Sequence, residues 1–294
     1  MTDQDWLAER FETSRPQLRA VAYRMLGSLS EADDAVQEAW LRLSRSDVAG
    51  IESLSAWLTT VVGRVCLDML RSRRSRGEEP LDGRLPDLLV DRVDGIDPEH
   101  EALLGDSVGL AMLVVLQTLS PPERLAFVLH DIFGVPFDEI APIVDRSPDA
   151  ARQLASRARR RVRAERTVPD ADLETQWKLL DAFVAAAREG DFDRLVAVLD
   201  PDVVVRADFG RAGGREEVRG ATAVARQALS YAQVRVTEIR PVLINGAAGL
   251  VAFLDGQPFS IATVTVRNGR IVELDFFNDS QRLRLLDLTI LDDR

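Results

Sequence analysis

The segment FDEIAPIVDRSPDAARQLASRARRRVRA, residues 137–164, decides the fold of the middle of the chain. Two helical patterns, 137–144 and 148–164, are separated by only three residues, DRS. In the second pattern, apolar residues recur at helical spacing along one narrow face. A tight turn before an amphipathic, arginine-rich second helix predicts a helix-turn-helix, a unit that places its second helix in the major groove of DNA. That apolar face consists of Ala151, Leu154, Ala155, Ala158 and Val162.

Residues 148–166 hold seven arginines and two carboxylates, although the whole chain carries a formal net charge of -11. A run of charge is most often a solvated face, so the alternative is a basic helix without a ligand. The helix-turn-helix spacing favours DNA. In the N-terminal half, where base edges are read, we expect contacts from Arg152, Gln153, Ser156 and Arg157. Phosphates are assigned to Arg159, Arg160, Arg161 and Arg163.

A second basic patch lies earlier in the chain, at the end of a helical pattern over 56–76. Between the two patches, residues 77–106 hold ten carboxylates and two arginines, without steady periodicity, and this composition predicts a linker. Screening confines exposed charge to about 8 to 10 Å, so an acidic chain can still bind nucleic acid locally. The second patch comprises Arg64, Arg71, Arg73, Arg74 and Arg76, against Asp68.

Helix-start signals place the other helices of the N-terminal part. Ser30 with Asp33 predicts a capped helix over 31–43, and Ser53 or Ser55 caps the next one. Ser120 followed by Pro121 is a further start signal. We therefore expect two all-helical domains, 1–76 and 107–168, joined by the acidic linker 77–106.

After residue 169 the pattern changes from helices alone to helices and strands. A long amphipathic helix over 171–190 precedes several strand-like runs. The last four runs are separated by Asn245-Gly246, Asp255-Gly256 and Asn268-Gly269, dipeptides typical of two-residue hairpins. An α+β domain over 169–294 is expected.

The motifs EADDAVQEAWLRL, AWLTTVVGRVCLDMLRSRRSR, LSPPERLAFVLHDIFGVPFDEIA and SPDAARQLASRARRRV, in this order, resemble a group IV, extracytoplasmic-function sigma factor of bacterial RNA polymerase. The resemblance covers most of residues 11–162. It implies that the first motif binds core polymerase, and that the basic helix ending at Arg76 engages the minus-ten promoter element and the helix-turn-helix the minus-thirty-five element. The implied polymerase-binding residues are Asp33, Asp34, Gln37, Glu38, Trp40 and Leu41.

The C-terminal part resembles the SnoaL-like, cone-shaped α+β domain of one subgroup of these sigma factors. The resemblance implies regulation in cis, with residues at comparable places in Asp208, Gly213, Gly214 and Asn278. The same fold builds cyclases and isomerases, so an enzyme of that class fused to a DNA-binding module is the alternative. Carboxylates for it would be Asp208, Glu273 and Asp275, whereas both histidines, His100 and His130, lie outside this part.

The sequence offers little to other classes of function. It contains no metal-ligand cluster, phosphate loop or nucleophile elbow, so no metal, cofactor or catalytic residue is expected, although the cone leaves room for a small-molecule ligand. The single cysteine, Cys66, falls in an apolar helical pattern and is expected to be a buried structural thiol. No apolar run is long enough to span a bilayer, and the acidic start does not resemble a signal peptide, which predicts a cytoplasmic protein. A third alternative is a plain repressor that does not contact polymerase. The 31–43 helix argues against this alternative, because a repressor would have no use for it.

Overall fold

The computed structural model describes residues 3–46, 53–75, 86–95, 100, 103, 110–164, 171–231, 236–284, 286 and 288. The chain forms two compact units. The helical unit comprises Met1–Asp82, Pro98–Asp106 and Met112–Arg166. The C-terminal unit comprises Gly83–Asp97, Ser107–Ala111 and Thr167–Arg294, so that part of the acidic segment belongs with it.

Three helices begin the helical unit: α1 (Asp3–Leu26), α2 (Leu29–Leu43) and α3 (Leu54–Ser75). Their apolar faces form a shared core, and Cys66 lies fully buried in it. Burial raises the pKa of this thiol, because a thiolate would lose its hydration. The predicted buried thiol is confirmed.

The start of α3 follows the sequence, whereas that of α2 does not. Ser53 Oγ accepts a hydrogen bond from the Ala56 N–H at 3.3 Å and caps α3. The N-cap of α2 is Ser28, so the prediction that Ser30 caps this helix is wrong. Gly27, in the left-handed region, ends α1 and lets the next helix start at once, which places Ser30 inside it.

The second half of the helical unit contains α4 (Leu110–Thr118), α5 (Pro121–Phe127), a π-helical turn (Val128–Ile132), α6 (Phe137–Ile140) and α7 (Pro148–Ala164). Ser120 and Glu123 form a capping box at the start of α5, as the sequence predicts for this serine. The helix predicted over 137–144 is shorter than expected. It ends at Ile140, just before Pro142, which has no N–H to continue the hydrogen-bond ladder.

The C-terminal unit packs helices against one curved sheet. Its core lies between the sheet and α8 (Leu173–Glu189), α9 (Phe192–Val198) and α11 (Ala221–Tyr231). Within the described residues the sheet has seven strands in the order β1-β4-β5-β6-β7-β2-β3, and β2 and β7 pair in parallel. This is the α+β architecture predicted for the C-terminal part. The strands are β1 (Val90–Asp91), β2 (Leu199–Asp208), β3 (Arg215–Arg219), β4 (Glu238–Ile244), β5 (Ala247–Leu254), β6 (Gln257–Arg267) and β7 (Arg270–Phe277), with short helices α10 (Gly210–Gly213) and α12 (Ser280–Leu283).

All three predicted hairpin turns are present between β4 and β7. Asn245, Asp255 and Asn268 have φ values of 49°, 50° and 51°, and the glycine after each also has positive φ. Two successive residues at positive φ make the turn whose twist matches that of the flanking strands. The turns therefore fix the antiparallel register of β4, β5, β6 and β7.

The edge strand β1 comes from the acidic segment between the two helical halves. Val90 pairs with Ile244 of β4, and Asp91 pairs with Leu243. Asn245 adds two hydrogen bonds with Leu89, since its N–H donates to the Leu89 carbonyl at 2.8 Å and its side-chain oxygen accepts from the Leu89 N–H at 3.3 Å. The segment thus adds a strand to the C-terminal sheet, which the sequence pattern did not indicate.

Candidate functional site

Helix α2 presents the residues that the resemblance assigns to polymerase binding. Asp33, Asp34 and Gln37 are exposed. Leu41 is 39% exposed, unusual for leucine, whereas the ring of Trp40 packs against Phe11 with centroids 5.1 Å apart. The two apolar residues thus differ: Trp40 contacts the core and Leu41 lies in solvent.

Two of the carboxylates on α2 that are assigned to polymerase binding are already paired. Asp33 accepts a hydrogen bond from Arg19 of α1 at 2.6 Å, and Glu38 accepts one from Arg42 at 2.9 Å. Such exposed pairs contribute about 0.2 to 1 kcal/mol, so a partner can replace them at little cost. The face combines acidic groups with one exposed leucine, a composition suited to a protein partner.

Helix α7 presents its arginines as the sequence predicts. Ala151, Ala155, Ala158 and Val162 are buried, and Leu154 is half-buried. The residues assigned to base reading, Arg152, Gln153, Ser156 and Arg157, are all exposed. Arg160, Arg161 and Arg163 are also exposed, and Arg159 is half-buried.

A carboxylate that the sequence analysis missed holds part of this surface. Glu123 accepts a hydrogen bond from Arg157 at 2.9 Å and lies 3.4 Å from Arg161. Burial works against ionisation of Glu123, but hydrogen bonds from Ser120 and Arg157 outweigh it and lower the pKa of the carboxyl. Arg159 forms a similar pair with Asp131. DNA phosphates would compete with these carboxylates.

The basic half of α3 is engaged differently from α7. The Arg64 guanidinium donates to the Pro142 carbonyl at 3.2 Å, in the turn that follows α6. Arg73 pairs with Glu31 of α2, while Arg71 lies 3.8 Å from Asp68. The Arg74 side chain and Arg76 lie outside the described residues.

Glycine 63 lets α3 approach α5 closely. A Cβ atom at this position would lie 3.3 Å from Leu125 Cδ1, 3.6 Å from Leu129 Cδ1 and 3.7 Å from Ile143 Cδ1. Contacts of this kind bury the middle of α3 against the helix-turn-helix half. Gly63 itself is buried, whereas Arg64 and Arg71, two of the residues expected at the minus-ten element, are exposed, and the Arg73 side chain is 12% exposed.

A buried arginine ties the same two halves together. The Arg124 guanidinium donates to the Met25 carbonyl at 2.6 Å and to the Gln117 carbonyl at 2.9 Å. These carbonyls belong to the last turns of α1 and α4, where helix dipoles place partial negative charge. Burial lowers the pKa of Arg124 to about 10.

The predicted regulatory residues meet at one end of the C-terminal sheet. The Asp208 carbonyl accepts from the Asn278 N–H at 2.7 Å, and its carboxylate accepts from the Gly210 N–H at 2.9 Å. Gly213 lies against Phe209, and Gly214, at φ 74°, turns the chain into β3.

Arg282, on α12, joins this cluster to the acidic segment. It donates to the Pro86 carbonyl at 3.2 Å and to Asp87 at 3.0 Å, and it lies 3.7 Å from the Asp208 carboxylate. This arginine was not among the residues predicted from the sequence. It connects the regulatory cluster to the chain between α3 and α4.

The unit also encloses a cavity of about 410 Å³ between α8, α11 and the inner face of the sheet. Ala207, Phe209, Leu274 and Phe276 line it. Side chains alternate along a strand, so the carboxylates considered for catalysis point to the opposite face of the sheet. There Arg206 lies 3.2 Å from Glu273 and 3.6 Å from Asp275, and burial raises the pKa of Asp275. The three carboxylates considered for the enzyme alternative are thus not among the described residues that line the cavity.

Two further classes of site find no support in the described part of the chain. His, Cys, Asp and Glu nowhere form a group of three able to hold a metal ion there. Every helix in the described residues also falls short of the length and apolar character needed to cross a bilayer.

Each of the two helical halves matches a known protein-family model. Residues 10–76 match the family model described as Sigma-70 region 2, and residues 110–162 match Sigma-70, region 4. The ECF RNA polymerase sigma factor SigJ of Mycobacterium tuberculosis is 38% identical over 280 residues, covering 90% of this chain and 89% of SigJ. The probable ECF RNA polymerase sigma factor SigI of the same organism is 33% identical and covers 93% of each chain.

The similarity extends to the fold of nearly the whole chain. The crystal structure of the extracytoplasmic function sigma factor SigJ from Mycobacterium tuberculosis superposes with a TM-score of 0.77 at 34% sequence identity. The match covers 96% of this chain and 99% of that one, and so includes the C-terminal α+β part.

Proposed function

Because the chain belongs to the extracytoplasmic-function sigma factors of RNA polymerase, we propose a division of labour among three of its helices. Helix α2 binds core polymerase, α3 engages the minus-ten element and α7 engages the minus-thirty-five element. Domains 1–76 and 107–168 bind polymerase and promoter DNA in the cytoplasm, and domain 169–294 regulates them. The observation that carries this assignment is the exposed acidic flank of α2 beside Leu41, which a DNA-binding repressor would not need.

The test of this assignment reverses charge on α2 without touching its buried face. Asp34→Arg with Glu38→Arg should reduce co-purification with core polymerase and promoter-dependent run-off transcription in parallel. A matched control is Glu9→Arg with Glu12→Arg, on exposed positions of α1. Equal core binding by the two double variants would refute the assignment of α2.

The second part of the proposal concerns regulation in cis. The C-terminal unit holds the segment that connects α3 to α4, through the β1–β4 pairing, Asn245 and Arg282. An extended chain spans at most about 3.3 to 3.6 Å per residue. With residues 86–91 fixed on the C-terminal unit, only residues 76–85 lie between α3 and that unit, just as only residues 165–172 lie between α7 and α8. The two helical halves then cannot separate as far as an unanchored linker would allow. A small molecule in the cavity would act on this same unit.

Arginine 282 provides a precise test of the anchoring. Arg282→Ala removes the bonds to Pro86 and Asp87, whereas Arg284→Ala removes only a bond within its own helix turn. Run-off transcription with core polymerase should rise for the first variant and stay at the wild-type level for the second. Truncations before residue 169 and after Asn278 extend the series. If the full-length protein and all these variants give the same output, the C-terminal unit does not regulate in cis.

A further inference from the structure

The walls of the C-terminal cavity are mostly apolar. They include Phe183 and Val184 of α8, Val224 of α11, Leu250 of β5 and Ala262 of β6. The volume of about 410 Å³ lies within the range of about 300 to 1,000 Å³ that small-molecule sites usually have. An apolar molecule entering such a space would be stabilised by the removal of its surface from water.

One polar group inside the cavity lacks a partner. Asn278 lines the cavity, and its side-chain oxygen Oδ1 is buried without a hydrogen bond from any described residue. An unpaired buried acceptor is costly, and a donor supplied by a ligand would remove this cost. The Asn278 N–H is already bonded to Asp208, which fixes the position of the residue.

Charge is confined to the solvent side of the cavity. Among the described lining residues, only Arg188 carries charge at neutral pH, and it is exposed. Two aromatic lining residues, Tyr231 and Phe259, are 49% and 39% exposed. Exposed aromatic residues of this kind mark the mouth of an apolar site. A charged group deep inside would lie away from Arg188, and the other described lining residues carry no charge to balance it.

We propose that the cavity binds an uncharged, predominantly apolar small molecule whose hydroxyl or N–H group donates a hydrogen bond to Asn278 Oδ1. The inference deepens the proposed regulation in cis and rests on it for its biological meaning. Asp279, the next residue, caps α12 through hydrogen bonds from the Gln281 and Arg282 N–H groups at 2.9 and 3.3 Å. The ligand would therefore bind next to the helix that carries Arg282.

The test uses N-phenyl-naphthylamine, a neutral fluorescent probe with one N–H, on the full-length protein. Its N-methylated analogue has the same rings but no donor. We expect saturable binding of one probe per chain, with about tenfold tighter binding of the N–H probe, since the methylated one leaves Asn278 Oδ1 unpaired. Asn278→Leu should bind both probes and abolish the difference.

A pair of substitutions on α11 locates the site. Ala228 lines the cavity, whereas Ala223 on the same helix is exposed. Ala228→Phe should weaken binding of both probes at least about tenfold by occupying their space, while Ala223→Phe should leave it unchanged. Circular dichroism and thermal unfolding check that both variants are folded.

Three results would overturn the proposal: no saturable binding, equal binding by the two α11 variants, or equal affinity of the wild type for the two probes. Run-off transcription without probe separates this outcome from the proposed function. A protein that shows cis regulation in the Arg282 series but binds neither probe keeps the regulation and loses the ligand site. Probe binding without any effect in the Arg282 series gives the reverse.

Discussion

The two basic helices of the helical unit, α3 and α7, look alike in sequence but differ in what they offer to DNA. Helix α7 buries a narrow face of small residues and exposes Arg152, Gln153 and Ser156. Helix α3 is buried against α5 at Gly63, and Arg64 is bonded to the turn after α6. A cluster of arginines thus indicates an affinity for nucleic acid, whereas the packing around it decides whether the surface is available.

This difference in packing between α3 and α7 bears on the proposed regulation. The residues of α7 predicted to read bases are exposed, whereas in α3 Gly63 packs against α5 and Arg64 donates to the Pro142 carbonyl. Arg124 stabilises the packing of the two helical halves, because a buried guanidinium bonded to two helix-terminal carbonyls is costly to leave unpaired. Separation of the two halves would therefore need a partner that binds the separated form better.

The largest expected effect comes from Gly63→Leu, which removes the close approach of α3 and α5. A leucine would collide with Leu125, Leu129 and Ile143, and overpacking of this kind costs about 1 to 3 kcal/mol. This cost weakens the packing of α3 against α5, so we expect run-off transcription to rise. The rise should be about tenfold if the packing loses about 1.4 kcal/mol of stabilisation. Ser72→Leu, at an exposed position of α3, is the control. Similar output from the two variants would show that the α3–α5 contact does not limit activity.

A smaller effect should separate base reading from phosphate binding on α7. Arg152→Ala should change the preference among minus-thirty-five sequences by about 1 to 2 kcal/mol, because a base contact is lost. Arg160→Ala should weaken binding to all sequences alike and reduce the salt slope by about one. Binding of both variants to a panel of promoter duplexes at several salt concentrations makes the measurement. Identical sequence profiles would remove the distinction between the two positions.

The smallest effect concerns the pairs that restrain α7. Glu123→Gln should release Arg157 and Arg161 and tighten non-specific DNA binding about two- to threefold, as expected for partly exposed ion pairs. The pKa of Glu123 is lower in the folded state than in the unfolded chain, so its stabilising contribution is present above the unfolded pKa. It is lost as the pH falls through the folded pKa.

Thermal unfolding at neutral and acidic pH tests this assignment of sign. Wild type should be more stable than Glu123→Gln at neutral pH, and the gap should close in acid. Asp138→Gln, at an exposed acidic position of α6, is the control. A gap that persists unchanged in acid would mean that the carboxylate charge is not what holds α7.

Features set by neighbouring residues could be predicted from the sequence. The bounds of α7, the Ser120 cap and the three hairpin turns follow from local rules: apolar spacing at the helical period, a side-chain oxygen at an N-cap, and residues that accept positive φ. The prediction of a Ser30 cap was wrong because Ser28 and Ser30 are both residue types favoured at an N-cap. Gly27 ends α1 directly before Ser28, so α2 begins there. Most of the site residues predicted on α2 and α7 are exposed, whereas Trp40 packs against Phe11 and Arg159 is half-buried, and their roles stay predictions.

The sequence alone determined the helices of the helical unit, the three hairpins of the C-terminal unit and the helix faces that carry charge. Only the tertiary structure decided that Arg124 joins α1 to α4, that Glu123 holds Arg157, and that Arg282 anchors the acidic segment. It also decided that Asp275 and Glu273 face away from the cavity, while Asn278 Oδ1 faces no described donor. Glu123 and Arg157 are 34 positions apart in the chain, and Asp87 and Arg282 are 195 positions apart. Local spacing carries no information on such pairings, because they arise when separate elements pack and exclude water between them.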